Sequence, residues 1–472
     1  MNLPYVLEPW KHQRDIIEKA GDTYAIFGEM GTGKTGIGIN LIRKNSLVHN
    51  RLLRTIIFCP PSVKINWKRE FAMHSKIKPD QVHVSQGCGR KRIDALDEAI
   101  RTKHVIIINY EALLTQAVYA KLASFQPEMI IYDESHLIKS YKAARTKKCW
   151  ELSKFAKYRY IMTGTAILNS PMDIFAQYKA MDLGRTFGDN FWAFRSEFFE
   201  DKNAGMPKHK YFPDWQPRAK TFGVLNERIY RKATRVLKKD CMDLPPLVKT
   251  QVNVEMSKEQ QGAYDDMKKH LITYLNDKAC VANMALTKSL RLQQIVSGHI
   301  KFDDDTMKPF EKVPRITALT ETLGAILEEA PTNKVIVWAC FRENVRQISQ
   351  ALEDLEIPHT MIVGGLTDKQ RQGAIDDFQT NSQTRVIVAN QAAGGIGINL
   401  TKANYAIYYS KNWNLQDDLQ SEARNHRGGS EIHDTITRID LVTPDSIDEI
   451  INEALASKLK IAETILKIKD RI

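Results

Sequence analysis

The run Gly28-Glu29-Met30-Gly31-Thr32-Gly33-Lys34-Thr35 constrains the fold more than any other feature of the chain. It fits the pattern GxxxxGK[ST], follows the apolar run Tyr24–Phe27 and opens a helical pattern. A strand entering a glycine-rich turn and then a helix is the context in which this pattern cradles phosphate. Gly28, Gly31 and Gly33 let backbone N–H groups turn inward, and the N-terminus of the following helix adds positive potential. Lys34 is expected to reach the β- and γ-phosphates of a nucleotide, and Thr35 to ligate Mg2+ through its hydroxyl.

The rest of the chain repeats the same alternation. In the first half, short β-rich runs are Tyr24–Phe27, Thr55–Cys59, His104–Ile108, Met129–Tyr132 and Arg159–Met162. In the second half they are Lys334–Ala339, His359–Ile362, Arg385–Ala389, Tyr405–Tyr409 and Thr435–Val442. Continuous apolar strands alternating with helices predict parallel sheets covered on both faces. Two such series predict an α/β fold of two tandem parallel-sheet lobes. The stretch between them differs. Residues 201–240 carry 11 Lys/Arg against 4 Asp/Glu, with Tyr211, Phe212, Trp215, Phe222 and Tyr230 interleaved. It reads as a basic, helical insertion without a strand series. The expected domains are 1–185, a nucleotide-binding lobe; 186–300, the helical insertion and linker; and 301–472, the second lobe.

A second chemical signal is Asp133-Glu134-Ser135-His136, at the end of the run Met129–Tyr132. A P-loop enzyme needs a carboxylate there to hold Mg2+. Asp133 fits that role, and Glu134 is placed to orient the attacking water.

A formal charge of +12 points to a polyanionic partner. Six cysteines are scattered without a CxxC pair, which argues against a zinc site or a disulfide framework. Neither a signal peptide nor an apolar run of membrane-spanning length is visible, so an intracellular protein without a membrane partner is expected.

The remaining motifs, from about Trp10 to Glu449, resemble helicase superfamily two, and within it the Swi/Snf-type branch of DNA translocases. The resemblance implies two RecA-like lobes and ATP as the nucleotide. Trp10-Lys11-His12-Gln13 is similar to the family's adenine-reading segment, with Gln13 on the base. Pro60-Pro61-Ser62-Val63 and Asn109-Tyr110-Glu111 resemble segments that contact the tracked strand, which implies Pro61, Ser62, Asn109 and Tyr110 on the nucleic-acid side. By its own pattern, Trp67 just beyond reads as a core residue. Thr163-Gly164-Thr165 resembles the motif that couples the two sites, with Ala166 where proline is usual. Gln391–Leu400 is similar to the fifth motif, implying Gly395 at the nucleotide and Asn399 at the nucleic acid. Gln420-Ser421-Glu422-Ala423-Arg424-Asn425-His426-Arg427-Gly428 resembles the sixth. It implies Gln420 at the nucleotide and Arg424 and Arg427 as arginine fingers, since guanidinium neutralises the charge of phosphoryl transfer. Leu290–Ile295 and Asp445–Glu449 favour the Swi/Snf-type branch over ordinary DExH helicases.

The implied function is an ATP-dependent translocase on duplex or branched DNA that remodels DNA structures or protein–DNA complexes. The alternative is a strand-separating DNA or RNA helicase using the same ATPase site. A monomer is expected, with targeting left to the core itself or to a recruiting protein partner. The compact length suits a bacterial or phage member, acting in the bacterial or infected host cytoplasm.

Overall fold

The computed structural model describes residues 2–164, 172–207, 211, 213–276, 282–301, 306–394 and 398–466. The chain divides into two compact units, Met1–Met242 with Lys458–Ile472, and Asp243–Ser457.

The first unit holds β1 (Thr23–Gly28), β2 (Thr55–Phe58), β3 (Val82–Val84), β4 (Val105–Ile108), β5 (Met129–Asp133), β6 (Tyr158–Met162), β7 (Phe199–Asp201), β8 (Trp215–Pro217) and β9 (Ala233–Val236). Seven of these form a sheet in the order β3-β4-β2-β5-β6-β1-β9. Every pairing in it is parallel. Its central strands have no polar face, because alternate residues enter two different cores. Ala25, Phe27, Ile56, Phe58, Ile130 and Tyr132 pack on one side. Tyr24, Ile26, Ile57, Met129, Ile131 and Met162 pack on the other. Each such side chain stabilises the fold by about 1.5–3 kcal/mol, so polar groups are tolerated only where the strands end.

The second unit holds β10 (Leu247–Asn253), β11 (His299–Lys301), β12 (Met307–Pro309), β13 (Val335–Ala339), β14 (His359–Ile362), β15 (Val386–Asn390), β16 (Tyr405–Tyr408) and β17 (Ile436–Val442). Six of them form a parallel sheet, β10-β17-β16-β13-β15-β14. Again one core takes Val335, Val337, Val386 and Val388, and the other takes Ile336, Trp338, Ile387 and Ala389.

The segment expected as a purely helical insertion supplies an edge strand to each sheet. β9 pairs with β1, and β10 pairs with β17. β9 is four residues long and half-buried, and β10 is mostly exposed, with Lys249, Thr250 and Gln251 in its middle. Edge strands bury too little apolar surface to write a periodic signal. Helices do form in this segment, at Phe191–Phe198 and Phe222–Tyr230. Their aromatic residues turn mainly inward: Phe194, Phe198 and Phe199 are buried, and Phe191 stacks on Tyr141 at 3.8 Å. Arg195 lies over both Trp192 and Trp215. Tyr211 is exposed, and Phe212 lies outside the described residues. Among the described residues no helix is long and apolar enough to cross a membrane.

His299, on β11, is buried, and Asn344 Nδ2 lies 3.3 Å from its Nδ1. Burial, with Arg291 adding to it and Glu343 opposing, lowers its pKa from 6.5 to about 4. The folded state therefore binds fewer protons than the unfolded chain between those values. Stability from this group is complete above pH 6.5 and is lost as pH falls towards 4, by roughly 3 kcal/mol in all. Chemical denaturation of the wild type and His299→Gln at pH 7 and pH 4 should show that part of the acid loss vanish in the variant.

Candidate functional site

The C-terminal edge of the first sheet gathers the polar groups that its faces exclude. β1 ends at Gly28, and the helix Lys34–Val48 begins after the turn. Gly31 and Gly33 have φ of 90° and 75°, the left-handed region that only glycine enters without strain. A Cβ on Gly33 would also stand 2.1 Å from Gln13 Nε2. Gln13, on the helix Lys11–Lys19, is buried against this turn and accepts the Trp10 N–H at 3.0 Å. Lys34 donates to the Gly28 and Glu29 carbonyls at 2.7 and 3.2 Å, so its ammonium lies at the loop itself. Thr35 is the second residue of the helix and is half-buried. Glu29 accepts the Lys238 N–H at 2.7 Å, which ties the loop to the segment that follows β9.

Asp133 ends β5, two strands from β1 across β6. Its carboxylate is buried. Oδ2 accepts the Trp67 indole N–H at 2.8 Å, and Oδ1 accepts the Glu134 N–H at 3.0 Å. Burial and the neighbouring Glu134 raise its pKa to about 7, while Trp67 and Lys34 oppose that shift. Two carboxyl groups so placed attract a cation. Glu134 adopts φ 51°, unusual for a residue with a side chain. Its Oε2 lies 3.3 Å from Thr163 Oγ1 and 3.2 Å from His136 Nδ1, and His136 Nδ1 lies 3.1 Å from the same hydroxyl. Acid, histidine and Thr163 thus form one cluster at the ends of β5 and β6. Thr165 and Ala166 lie outside the described residues.

The next strands outward carry the residues expected at nucleic acid. After β2, Pro61 is exposed and Ser62 half-buried in a 3-10 turn, Pro61–Val63. After β4, Asn109 is buried and donates to Glu111 Oε2 at 2.8 Å. Tyr110 has no exposed surface, and its hydroxyl donates to the Asp133 carbonyl at 2.6 Å. Its ring is therefore not a surface contact. Trp67 is the residue whose role the sequence did not reveal. It is core as expected, yet its one polar atom holds the site's carboxylate.

In the second unit, Gln420 is buried on the helix Leu415–Glu422. Arg424 and Arg427 lie in the turns that follow this helix. Both guanidinium groups donate to the Ile398 carbonyl, at 3.1 and 3.3 Å. Asn399 is exposed, and its Oδ1 accepts the Thr401 N–H at 3.2 Å. Gly395 lies outside the described residues.

Arg438, on β17, positions the helix Leu415–Glu422 from beneath and was not expected. It is buried, with Asp418 at 2.7 Å, Glu422 at 2.8 Å and Asp440 at 2.9 Å, and it lies over the Tyr408 ring. Lys411 pairs with Asp440 and Lys249 with Glu422, so three cations balance three carboxylates. Glu422 and Asp440 keep lowered pKa values although burial opposes this, because Lys249, Lys411 and Arg438 surround them. The only sequence signal is Arg438 and Asp440 two apart in an otherwise apolar strand, which places both on one face. Removing one partner of a buried pair costs about 3–5 kcal/mol, because the others stay buried without it. Arg438→Met should lower the unfolding free energy of this unit by that amount in a urea titration, and Arg231→Met, at an exposed pair of the first unit, should change the stability there little.

A parallel sheet with a P-loop after β1 and an acidic turn after β5, followed by a second parallel sheet, defines a two-lobed P-loop NTPase core. The SNF2-related domain family matches residues 21–300, and the helicase conserved C-terminal domain matches residues 315–429. The chain belongs to the SNF2-related family. An uncharacterized ATP-dependent helicase of Mycoplasma genitalium is 26% identical, over 93% of this chain and 40% of its own length. The Caenorhabditis elegans homolog of SWI/SNF-related matrix-associated actin-dependent regulator of chromatin subfamily A-like protein 1 is 24% identical, over 92% of this chain and 58% of its own length. Among solved structures, the Sulfolobus solfataricus SWI2/SNF2 ATPase core in complex with dsDNA aligns with a TM-score of 0.44 at 24% identity, covering 99% of this chain and 94% of that one. The chain spans about half the length of the curated relatives it matches.

Proposed function

We propose that the chain hydrolyses ATP and uses the cycle to translocate on duplex or branched DNA. The observation that carries this reading is the grouping of Lys34, Asp133, Glu134 and Thr163 along one edge of the first sheet. The turn needs glycine at Gly31 and Gly33, which have positive φ, and at Gly33 a side chain would collide with Gln13; a glycine turn with a lysine at a helix start fits phosphate. Buried Asp133, with Thr35 at the start of the helix that follows the glycine turn, fits Mg2+, which usually takes one or two protein ligands beside substrate phosphates and water. When bound, Mg2+ supplies charge neutralisation at the phosphates. The chain's own residues do the rest. Lys34 leaves the Gly28 and Glu29 carbonyls to meet phosphate oxygens. Glu134, held towards His136 and Thr163, orients the attacking water. Arg424 and Arg427 neutralise the charge that develops on the transferred group. Gln13 supports the loop and meets the base, and Gly395 and Gln420 complete the nucleotide contacts.

DNA as the track is supported by family membership, by the net charge of +12 and by the names of relatives such as the C. elegans chromatin regulator. Pro61, Ser62, Asn109 and Asn399 are its proposed contacts. Tyr110 is proposed to contribute through its backbone, since its side chain is buried.

ATP hydrolysis is to be measured without nucleic acid, then with single-stranded, duplex and branched DNA and with RNA. Stimulation should be greatest with duplex or branched DNA, and Lys34→Ala should lower the rate roughly 100-fold or more. Stimulation mainly by single strands or RNA contradicts the duplex track and favours a strand-separating helicase.

A further inference from the structure

Two buried aromatic donors, from two different loops, converge on the same aspartate. Trp67 belongs to the helix Lys64–His74, which directly follows the Pro61–Val63 turn after β2. Its indole N–H donates to the Asp133 carboxylate at 2.8 Å. Tyr110 directly follows Asn109 at the end of β4 and opens the 3-10 turn Tyr110–Leu114. Its hydroxyl donates to the Asp133 main-chain carbonyl at 2.6 Å. Tyr110 reaches Asp133 across β2, and its ring forms one mutually packed stack with Phe58 of β2 and Tyr132 of β5, the centroids 5.6, 5.5 and 6.5 Å apart. Such a stack has little room to absorb a displacement, because packed interiors shift between discrete arrangements rather than deform.

The turn these donors hold is under strain. Glu134 sits at φ 51°, a conformation that persists only where its surroundings over-determine it. The Tyr110 bond to the Asp133 carbonyl and the Trp67 bond to its carboxylate lie immediately before that residue. A shift in either loop therefore moves Glu134 relative to Thr163 and His136.

The two loops also carry features that suit an anion. Pro61 is exposed, and the Ser62 hydroxyl is buried with no partner among the described residues. After β3, the neighbour of β4, the helix Gly89–Thr102 opens with Arg90, Lys91 and Arg92. Cations in a first helical turn add to the positive end of the helix dipole, so an anion arriving there is attracted by both.

We propose that Tyr110 and Trp67 are positioning residues that transmit nucleic-acid contact at residues 61–62 and 109 to the Asp133–Glu134 turn, and so set how far DNA accelerates hydrolysis. The inference rests on the reading that these loops meet DNA. The bland alternative is that both bonds merely satisfy buried polar groups. Tyr132 provides the control. It is equally buried, belongs to the same aromatic stack, and its hydroxyl donates to the Cys149 carbonyl at 2.9 Å, away from Asp133.

Two quantities test it. One is the ratio of ATPase rates with and without duplex DNA. The other is the ratio of DNA affinities, by fluorescence anisotropy, with and without a non-hydrolysable ATP analogue and Mg2+. Coupling between sites is reciprocal for binding, so the second reads the link without catalysis. Tyr110→Phe should reduce both ratios about fivefold, the order one neutral hydrogen bond supports, and Tyr132→Phe should leave both at the wild-type value. Unchanged ratios in Tyr110→Phe, or an equal fall in Tyr132→Phe, overturn the proposal. A melting curve establishes that each variant folds; if Tyr110→Phe does not, Trp67→Phe, which keeps a ring and loses the N–H, decides by the same two ratios. A wild type with neither ratio above one overturns the DNA reading itself, and this inference with it.

Discussion

A parallel sheet buried on both faces leaves only its strand ends for chemistry. The central strands of the first unit feed alternate residues into two apolar cores, and a polar group among them must find a partner to replace its water, as the Tyr132 hydroxyl does at the Cys149 carbonyl and Arg159 at the Met181 carbonyl. Carboxylate, lysine, threonine and histidine consequently collect where the strands stop. Asp133 is the extreme case. It is the last residue of β5, nearly as buried as the isoleucines before it, and it remains tolerable because Trp67 and the Glu134 N–H bond its oxygens. Those bonds do not fully offset burial and the adjacent acid, which is why its pKa rises to about 7. A site that leaves negative charge under-compensated is suited to a divalent cation.

The second unit solves a related problem differently. Arg424 and Arg427 follow a helix that has only eight residues, too short to be stable by itself. The buried network around Arg438 fixes that helix to the sheet from below, while the Ile398 carbonyl receives both Arg424 and Arg427 from the other side. An ion network buried this deeply adds little net stability compared with apolar packing. What it provides is one defined position for the chain that follows.

Much of this was legible in the sequence, for physical reasons that also explain what was not. All ten strands read as apolar runs are strands, because most of them are buried on both faces and so largely apolar, although Arg438 and Asp440 interrupt the run in β17. The edge strands β3, β9 and β10 were not read, because the first two are short and β10 is mostly exposed, so none carries a buried apolar run. Gly31 and Gly33 were legible because a positive φ, and at Gly33 the close approach of Gln13, leave one residue choice. Trp67 read correctly as core, but a core tryptophan and a tryptophan that holds a carboxylate look alike until the partner, 66 residues away, is in place. Tyr110 read as a surface contact because its neighbours do. The 3-10 turn instead folds its ring beneath β2, a choice made by long-range packing against Phe58.

Movement along duplex DNA is the central claim, and displacement of a triplex-forming third strand from a duplex tests it most directly. The third strand has to be pushed off by something travelling on the duplex, with no separation of the underlying strands. The account predicts ATP-dependent displacement that disappears in Lys34→Ala and does not require a free single-stranded end. Vigorous DNA-stimulated hydrolysis with the third strand left in place, together with ATP-dependent opening of forked duplexes, would contradict it and make the chain a strand-separating helicase.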